Sequence, residues 1–231
     1  MTISTAHRPN FDSDIARVRV LHDAADEHVE SRAVVVNLGM TDAATGTRQQ
    51  APLPPMSSTI VTRGTVSGAL VMLIDPGALE PGDDDLEAQA RRHGWQDFYG
   101  GDGPVLLRSP QDTVGTVLLD RGVVLRQDGL THGRTPHTVR TNLWFSPSGT
   151  DCGIHNVHPF IEVHTQITGY GRMQKFDSKD HQSLYEDQQL SPGVTNPVPF
   201  CADRAGELVY PWHQYRADTD CLWLAIEYHQ V

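Results

Sequence analysis

Short runs of apolar and β-branched residues, separated by turn-forming residues, make up most of this chain. In the first third they cover residues 18–21, 33–38, 59–63 and 70–74. Further along they recur more regularly, at 105–107, 114–119, 123–125, 138–145, 160–167, 172–176, 207–210 and 221–228. Many short strands with Gly, Pro and Asp turns are typical of an antiparallel sandwich or barrel. We therefore predict an all-β fold, with one short helix over residues 83–93 that begins with acidic and ends with basic residues.

The segment 153–171 carries an unusual alternation. A strand period of two places polar and aromatic side chains on one face, namely His158, Phe160, Glu162, His164 and Gln166. The opposite face is apolar and carries Val157, Ile161, Val163 and Ile167. This pattern predicts a polar interior, with the apolar face packed outside against another layer. The alternative interpretation is that these histidines are ordinary surface or core residues.

Histidine is abundant here and cysteine is not. The chain has 12 His and 3 Cys, and eight of the histidines lie in residues 132–231. A buried cluster of Glu and His is costly unless it is compensated, and a divalent cation that takes carboxylate and imidazole ligands compensates it. The three cysteines indicate free thiols, although a Cys152 nucleophile paired with a histidine is an alternative.

The charge balance excludes some classes of partner. There are 18 Lys and Arg against 29 Asp and Glu, a net charge of −11, which argues against binding nucleic acid or anionic lipid. No apolar run approaches the roughly 18 residues of a membrane span. Residues 1–8 show no signal-peptide pattern, so a cytoplasmic location is expected.

The histidine segment resembles the first motif of the cupin superfamily. In that motif two histidines separated by one residue are followed by Glu and then Gly, and His158, Glu162 and Gly169 match the second His, the Glu and the Gly. The segment 206–213 resembles the second motif, in which a Gly, a short β run and a Pro precede a His, here His213. Asn156 stands where the first His of the family would fall, and either His155 or His164 is the candidate to replace it.

This resemblance implies a cupin-type antiparallel β-barrel (jelly roll) over residues 105–231 with a divalent metal ion inside it. Residues 1–104 would form a β-rich extension or a degenerate second barrel. The implied metal ligands come from the set His155, His158, Glu162, His164 and His213. The implied metal is zinc or iron, with manganese and nickel also open. Candidates for catalytic or substrate contacts are Glu162, Gln166, Gln174 and Tyr215, together with Arg172.

Three functions remain open at this point. The segments 162–166 and 171–176 resemble the cupin part of hydrazine-synthetase-type proteins, which implies a metal-assisted rearrangement of an amino-acid-derived molecule that forms an N–N bond. The alternatives are an Fe(II)-dependent cupin dioxygenase and a non-catalytic small-molecule-binding cupin. The apolar face with Ile161, Val163 and Ile167 needs cover, either from the N-terminal hundred residues or from a second subunit. A homodimer is therefore also expected.

Overall fold

A computed structural model describes residues 4–47, 49–77, 85–127, 133–196 and 199–231. Its first seven strands are β1 (Thr5–His7), β2 (Ala16–Val29), β3 (Ala33–Asn37), β4 (Ala43–Gly46), β5 (Ala51–Leu53), β6 (Ser57–Val61) and β7 (Gly64–Pro76). They form one antiparallel sheet in the order β1-β2-β7-β3-β6, in which β4 pairs with β5 and β7.

The described residues after β7 form two further main sheets and little helix. Its helical segments are α1 (Leu86–Arg92), α2 (Arg121–Val124) and a 3-10 turn (His181–Ser183). Its strands are β8 (Gln96–Asp97), β9 (Leu107–Arg108), β10 (Asp112–Leu119), β11 (Thr135–Ser146), β12 (Ile161–Thr168), β13 (Gly171–Phe176), β14 (Leu184–Leu190), β15 (Ala202–Arg204), β16 (Glu207–Val209), β17 (Trp212–Ala217) and β18 (Cys221–Gln230).

Two of these sheets face each other. The second sheet has the order β12-β18-β11-β9-β8, with β10 also paired to β11, and the third has the order β14-β13-β17. Met173 and Tyr215 of the third sheet share a buried cluster with Trp223 of the second. The predicted all-β, antiparallel fold is confirmed, and its double-sheet form is that of jelly rolls, which include cupins. Among the described residues, no helix has the length and apolar character needed to cross a membrane.

The apolar face of β12 is covered by the N-terminal sheet. Ile161, Val163 and Ile167 are fully buried in one core together with Val34 and Met72 of that sheet. The inverted alternation of this strand is therefore explained within one chain, because its apolar side packs on a second sheet while its polar side faces the third. The homodimer stays a prediction, but the face that suggested it already has a cover.

Several local expectations need correction. Residues 123–125, predicted as strand, fall in α2 and its C-cap, because Asp120 caps a helical turn by accepting from the backbone N–H of Gly122 at 3.0 Å. The predicted helix over 83–93 is observed as Leu86–Arg92, and its first residues, 83 and 84, lie outside the described residues. Val157 is 82% exposed, not part of an apolar face, because β12 begins only at Ile161.

The predicted boundary between residues 104 and 105 stays a prediction. The N-terminal sheet ends with β7 at Pro76. The short strand β8 (Gln96–Asp97), which lies on the N-terminal side of that boundary, pairs with β9 in the second sheet.

Candidate metal centre

Two chain segments that are remote in sequence bring three histidines together. His213 lies on β17, and His155 lies in the irregular segment that leads to β12. The backbones of these two residues bond to each other in both directions, with N–H···O distances of 2.9 and 2.8 Å. His158 follows three residues later, so a single backbone bridge places all three imidazoles side by side.

The three imidazoles present their ring nitrogens to a common point. One nitrogen from each of His155, His158 and His213 lies within 4.8 Å of the other two. The Nδ1 atom of His213 lies 2.9 Å from the carbonyl oxygen of Pro211, and that of His155 lies 2.9 Å from the carbonyl oxygen of Gly153. A carbonyl can only accept, so each Nδ1 carries a proton, and in the neutral form of the ring Nε2 then has a free lone pair. Histidines that bind metals are oriented in this way.

Glu162 lies beside the three histidines as a buried carboxylate. Its Oε2 is 3.7 Å from Nε2 of His158, and its Oε1 is 3.1 Å from Nε2 of His164. Burial by itself raises the pKa of Glu162, but His164 first, and then His158 and His213, outweigh burial and lower the pKa to about 2. Glu162 is therefore ionised near neutral pH, and its negative charge faces the cluster.

The buried imidazoles are held in their neutral form. Burial first, and then the neighbouring His155, lower the pKa of His213 to about 3, against the hydrogen bond to Pro211. Burial also lowers the pKa of His158, against the attraction of Glu162. Neutral imidazole is the form that binds metals. Imidazole nitrogens of three histidines and a carboxylate are a donor set that fits a divalent cation such as zinc, iron or manganese.

The burial of His213 predicts a pH dependence of stability in the metal-free protein. Its pKa is about 3 when folded and near 6.5 when exposed, so from pH 6.5 downward the unfolded chain binds a proton that the folded chain does not. The free energy of unfolding should therefore fall more steeply with falling pH in the wild type than in His213→Gln, by a difference that approaches about 1.4 kcal/mol per pH unit at pH 5. Urea unfolding with chelator between pH 6.5 and 5 measures this difference, and equal slopes would contradict it.

His164 does not join the three histidines but holds Glu162. Its Nε2 contacts the carboxylate oxygen that points away from His158. Asn196 fixes the backbone of His164 from both sides, since its Oδ1 accepts from the N–H at 2.5 Å and its own N–H donates to the carbonyl at 3.0 Å. Of the two candidates for the missing first histidine, the structure places His155 in the cluster and His164 behind Glu162.

Tyr210 is a residue of the site that sequence reasoning missed. Its hydroxyl donates to the carbonyl of Phe160 at 2.8 Å and accepts from the N–H of Glu162 at 3.0 Å. Its ring packs against His158, with a centroid distance of 4.9 Å. Tyr210 therefore anchors the start of β12, from which the side chain of Glu162 projects towards the histidines. Tyr210 stands directly before the Pro of the second motif, but this position does not mark it as a partner of Glu162.

Other predicted contacts lie further from the three histidines and are bound to one another. The hydroxyl of Tyr215 donates to Oε1 of Gln166, whose Nε2 donates to the carbonyl of Thr168 at 2.7 Å. Oε1 of Gln174 accepts from Gln214 at 2.9 Å. Arg172 pairs with Asp218 and Asp187 at 2.7 and 3.0 Å near the surface. Contacts of these side chains with a substrate stay a prediction, and each would have to exchange a bond it already makes.

Cys152 does not have the properties of a nucleophile. It is 7% exposed, and burial raises its pKa to about 12. A reactive cysteine needs an accessible thiolate near neutral pH. Its burial therefore argues against the alternative of a Cys152 nucleophile.

No protein-family model matches the chain, and no curated protein matches it. Similarity is found with solved structures. The Bacillus subtilis oxalate decarboxylase, in a structure concerned with its Mn(II) centres, is 10% identical with a TM-score of 0.33, over 95% of this chain and 70% of that chain.

Two further structures match a shorter part of the chain. Ectoine synthase from P. lautus is 16% identical with a TM-score of 0.28, over 40% of this chain and 54% of that chain. The structures of DMSP lyases give 18% identity and a TM-score of 0.29, over 39% of this chain and 38% of that chain. The chain thus spans about half or less of the length of these two.

Proposed function

We propose that this protein is a metal-dependent enzyme of the cupin type that acts on a small polar molecule. The observation that carries the proposal is the convergence of ring nitrogens from His155, His158 and His213 within 4.8 Å, beside the buried carboxylate of Glu162. A divalent ion bound there supplies Lewis-acid polarisation of a carbonyl or phosphoryl oxygen, or redox chemistry if the metal is iron.

The residues around the histidines have separate tasks in this proposal. His155 and His213 donate their Nδ1 protons to backbone carbonyls, which keeps their Nε2 lone pairs directed at the ion. His164 holds Oε1 of Glu162 and leaves Oε2 on the side of His158. Oε2 is placed either to bind the ion or to accept a proton from a bound substrate. Tyr210 holds the backbone at Glu162 and thereby the position of this oxygen.

Within this class we favour the metal-assisted rearrangement of an amino-acid-derived molecule that forms an N–N bond. Its support is the sequence resemblance of residues 162–166 and 171–176 to hydrazine-synthetase-type proteins. In such a reaction a divalent ion held by the histidines would polarise a carbonyl of the substrate without changing its own oxidation state. Glu162 would accept the proton that the attacking amine nitrogen loses, and the N–N bond would form as the other nitrogen loses an oxygen leaving group that the substrate itself carries. The second candidate, Fe(II)-dependent dioxygenation, is favoured by the mixed imidazole and carboxylate donor set, which iron also accepts.

Metal analysis separates these proposals. We expect about one divalent ion per chain in the purified wild-type protein. Zinc, with no oxygen consumption when candidate amines are added, supports the rearrangement, whereas iron with substrate-dependent oxygen uptake supports the dioxygenase. If the wild type takes up no metal under conditions in which it is folded, both enzymatic proposals fail and the non-catalytic binder remains.

A further inference from the structure

A polar cavity opens on the same sheet face as Glu162. It has a volume of about 290 Å³ and is lined by Gln96, Arg108, Asn142, Trp144 and Glu227, among others. This volume is at the lower end of the roughly 300–1,000 Å³ of small-molecule sites. No step of the proposed function has used these residues.

Strand register shows that this cavity and the candidate metal centre are neighbours. Glu162 on β12 lies opposite Glu227 on β18, and directly paired residues project from the same face of a sheet. Asn142 and Trp144 on β11 belong to that face as well, because they pair with Ala225 and Trp223 of β18. The cavity floor therefore continues the polar face that carries Glu162.

The cavity presents groups of opposite charge. Arg108 lies opposite Trp144, and its guanidinium stacks over Phe98 at 5.7 Å from the ring centroid. No carboxylate pairs with Arg108 in the described ranges of the chain. Glu227 is 9% exposed and contacts Nε2 of His229 through its Oε2 at 2.7 Å. Burial raises the pKa of Glu227, and a bound cation would stabilise its ionised form.

Between the two charges lies a polar atom without a partner. Asn142 is 2% exposed, and within the part of the chain that the structure describes no donor bonds to its Oδ1. A buried carbonyl oxygen that is left without a hydrogen bond costs about 1–3 kcal/mol. In a cavity wall, such an oxygen can accept a hydrogen bond from a donor group of a bound ligand.

We propose that this cavity binds the ammonium and carboxylate groups of a small zwitterion, such as an amino acid or a derivative that keeps both groups. Arg108 takes the carboxylate, Glu227 takes the ammonium group, and Oδ1 of Asn142 accepts one of the ammonium protons. The inference rests on the proposed function in one respect, since it assumes that the reacting end of the same molecule reaches Glu162 and the histidines.

The test uses the full-length protein and single compounds. Glycine, L-alanine, L-lysine and L-glutamate are titrated as zwitterions, with acetate and methylammonium as singly charged controls, and the side-chain amide signals of Asn142 are followed by NMR. We expect saturable shifts with the zwitterions, at dissociation constants at least about tenfold lower than those of the controls. No saturable shift with any zwitterion, or equal affinity for the controls, overturns the inference.

Substitutions test which charged residue binds which end of the zwitterion. Arg108→Gln and Glu227→Gln are each expected to weaken zwitterion binding by about tenfold or more. Arg17→Gln, which replaces an exposed arginine of the N-terminal sheet, should leave binding unchanged. Arg108 is itself exposed, so its replacement should not disturb folding even if that of Glu227 does. Binding that is unchanged in Arg108→Gln contradicts the assignment.

The same titration on metal-free His213→Gln separates this inference from the proposed function. Zwitterion binding that persists without metal supports the cavity, even if the wild type proves to hold no ion. A wild type that binds a stoichiometric ion but none of the zwitterions overturns the cavity and leaves the proposed function standing.

Discussion

Replacing His213 by glutamine should lower the affinity of the protein for a divalent metal by more than about 100-fold. A 100-fold loss of metal affinity is about the upper limit for replacing a residue that only orients a metal ligand, and we propose His213 as a ligand itself. Its Nε2 lies 3.1 Å from Nε2 of His158, and the hydrogen bond from its Nδ1 to the carbonyl of Pro211 holds the ring in that position. His155→Gln should have an effect of the same order.

His164→Gln is the variant that discriminates between the two candidate ligand sets. His164 contacts Oε1 of Glu162 and lies outside the cluster of three histidines, so its replacement should weaken metal binding by about 10–100-fold, as is typical of residues that orient a ligand. His181→Gln, in the exposed 3-10 turn, is the matched control and should change nothing. Competition with a chelator, followed by elemental analysis, measures all four variants. If His164→Gln loses the metal while His155→Gln keeps it, the assignment of His155 is wrong.

Replacing Ile226 by alanine should destabilise the protein by about 2–5 kcal/mol. Ile226 lies opposite Val163 in the second sheet, is fully buried, and belongs to the core shared with the N-terminal sheet. The truncation leaves a cavity between two sheets. The hydrogen-bonded strands keep the sheets from moving together to fill it. Urea unfolding of the metal-free protein measures the loss.

Two controls show whether that loss comes from the interface between the sheets. Val123→Ala removes methyl groups from a side chain that is 74% exposed and should change stability by less than about 0.5 kcal/mol. Ile226→Ala should also keep its metal, because the side chain lies on the face of the sheet opposite Glu162 and His164. A loss below about 1 kcal/mol would show that the N-terminal sheet does not pack tightly on this face.

Much of the candidate site could be predicted from the sequence because its signals are local. The period of two in residues 161–167 separates the polar from the apolar face, and the structure keeps this separation, since Ile161 and Val163 enter the core while Glu162 faces the histidines. The same local reading failed at Val157, where the chain before Ile161 is not a strand and the alternation has no meaning.

Tyr210 and Asn196 could not have been predicted from their own surroundings in the sequence. Each acts on β12 from a segment 30 or more positions away, by hydrogen bonds to the backbone of Glu162, Phe160 and His164. Backbone groups are the same in every residue, so nothing in the sequence of β12 marks them as partners. The polar cavity beside Glu227 was missed for a similar reason, because its lining comes from several strands.

The sequence by itself determined that this chain is an antiparallel β protein, that β12 is polar on one face, and that His158, Glu162 and His213 are candidate ligands. Only the tertiary structure decided that His155 and not His164 stands beside His158 and His213, and that the N-terminal sheet covers Ile161 and Val163. The physical reason is the same in both cases. Side-chain period is set by the local backbone, whereas the pairing of His155 with His213 depends on hydrogen bonds between segments 58 residues apart.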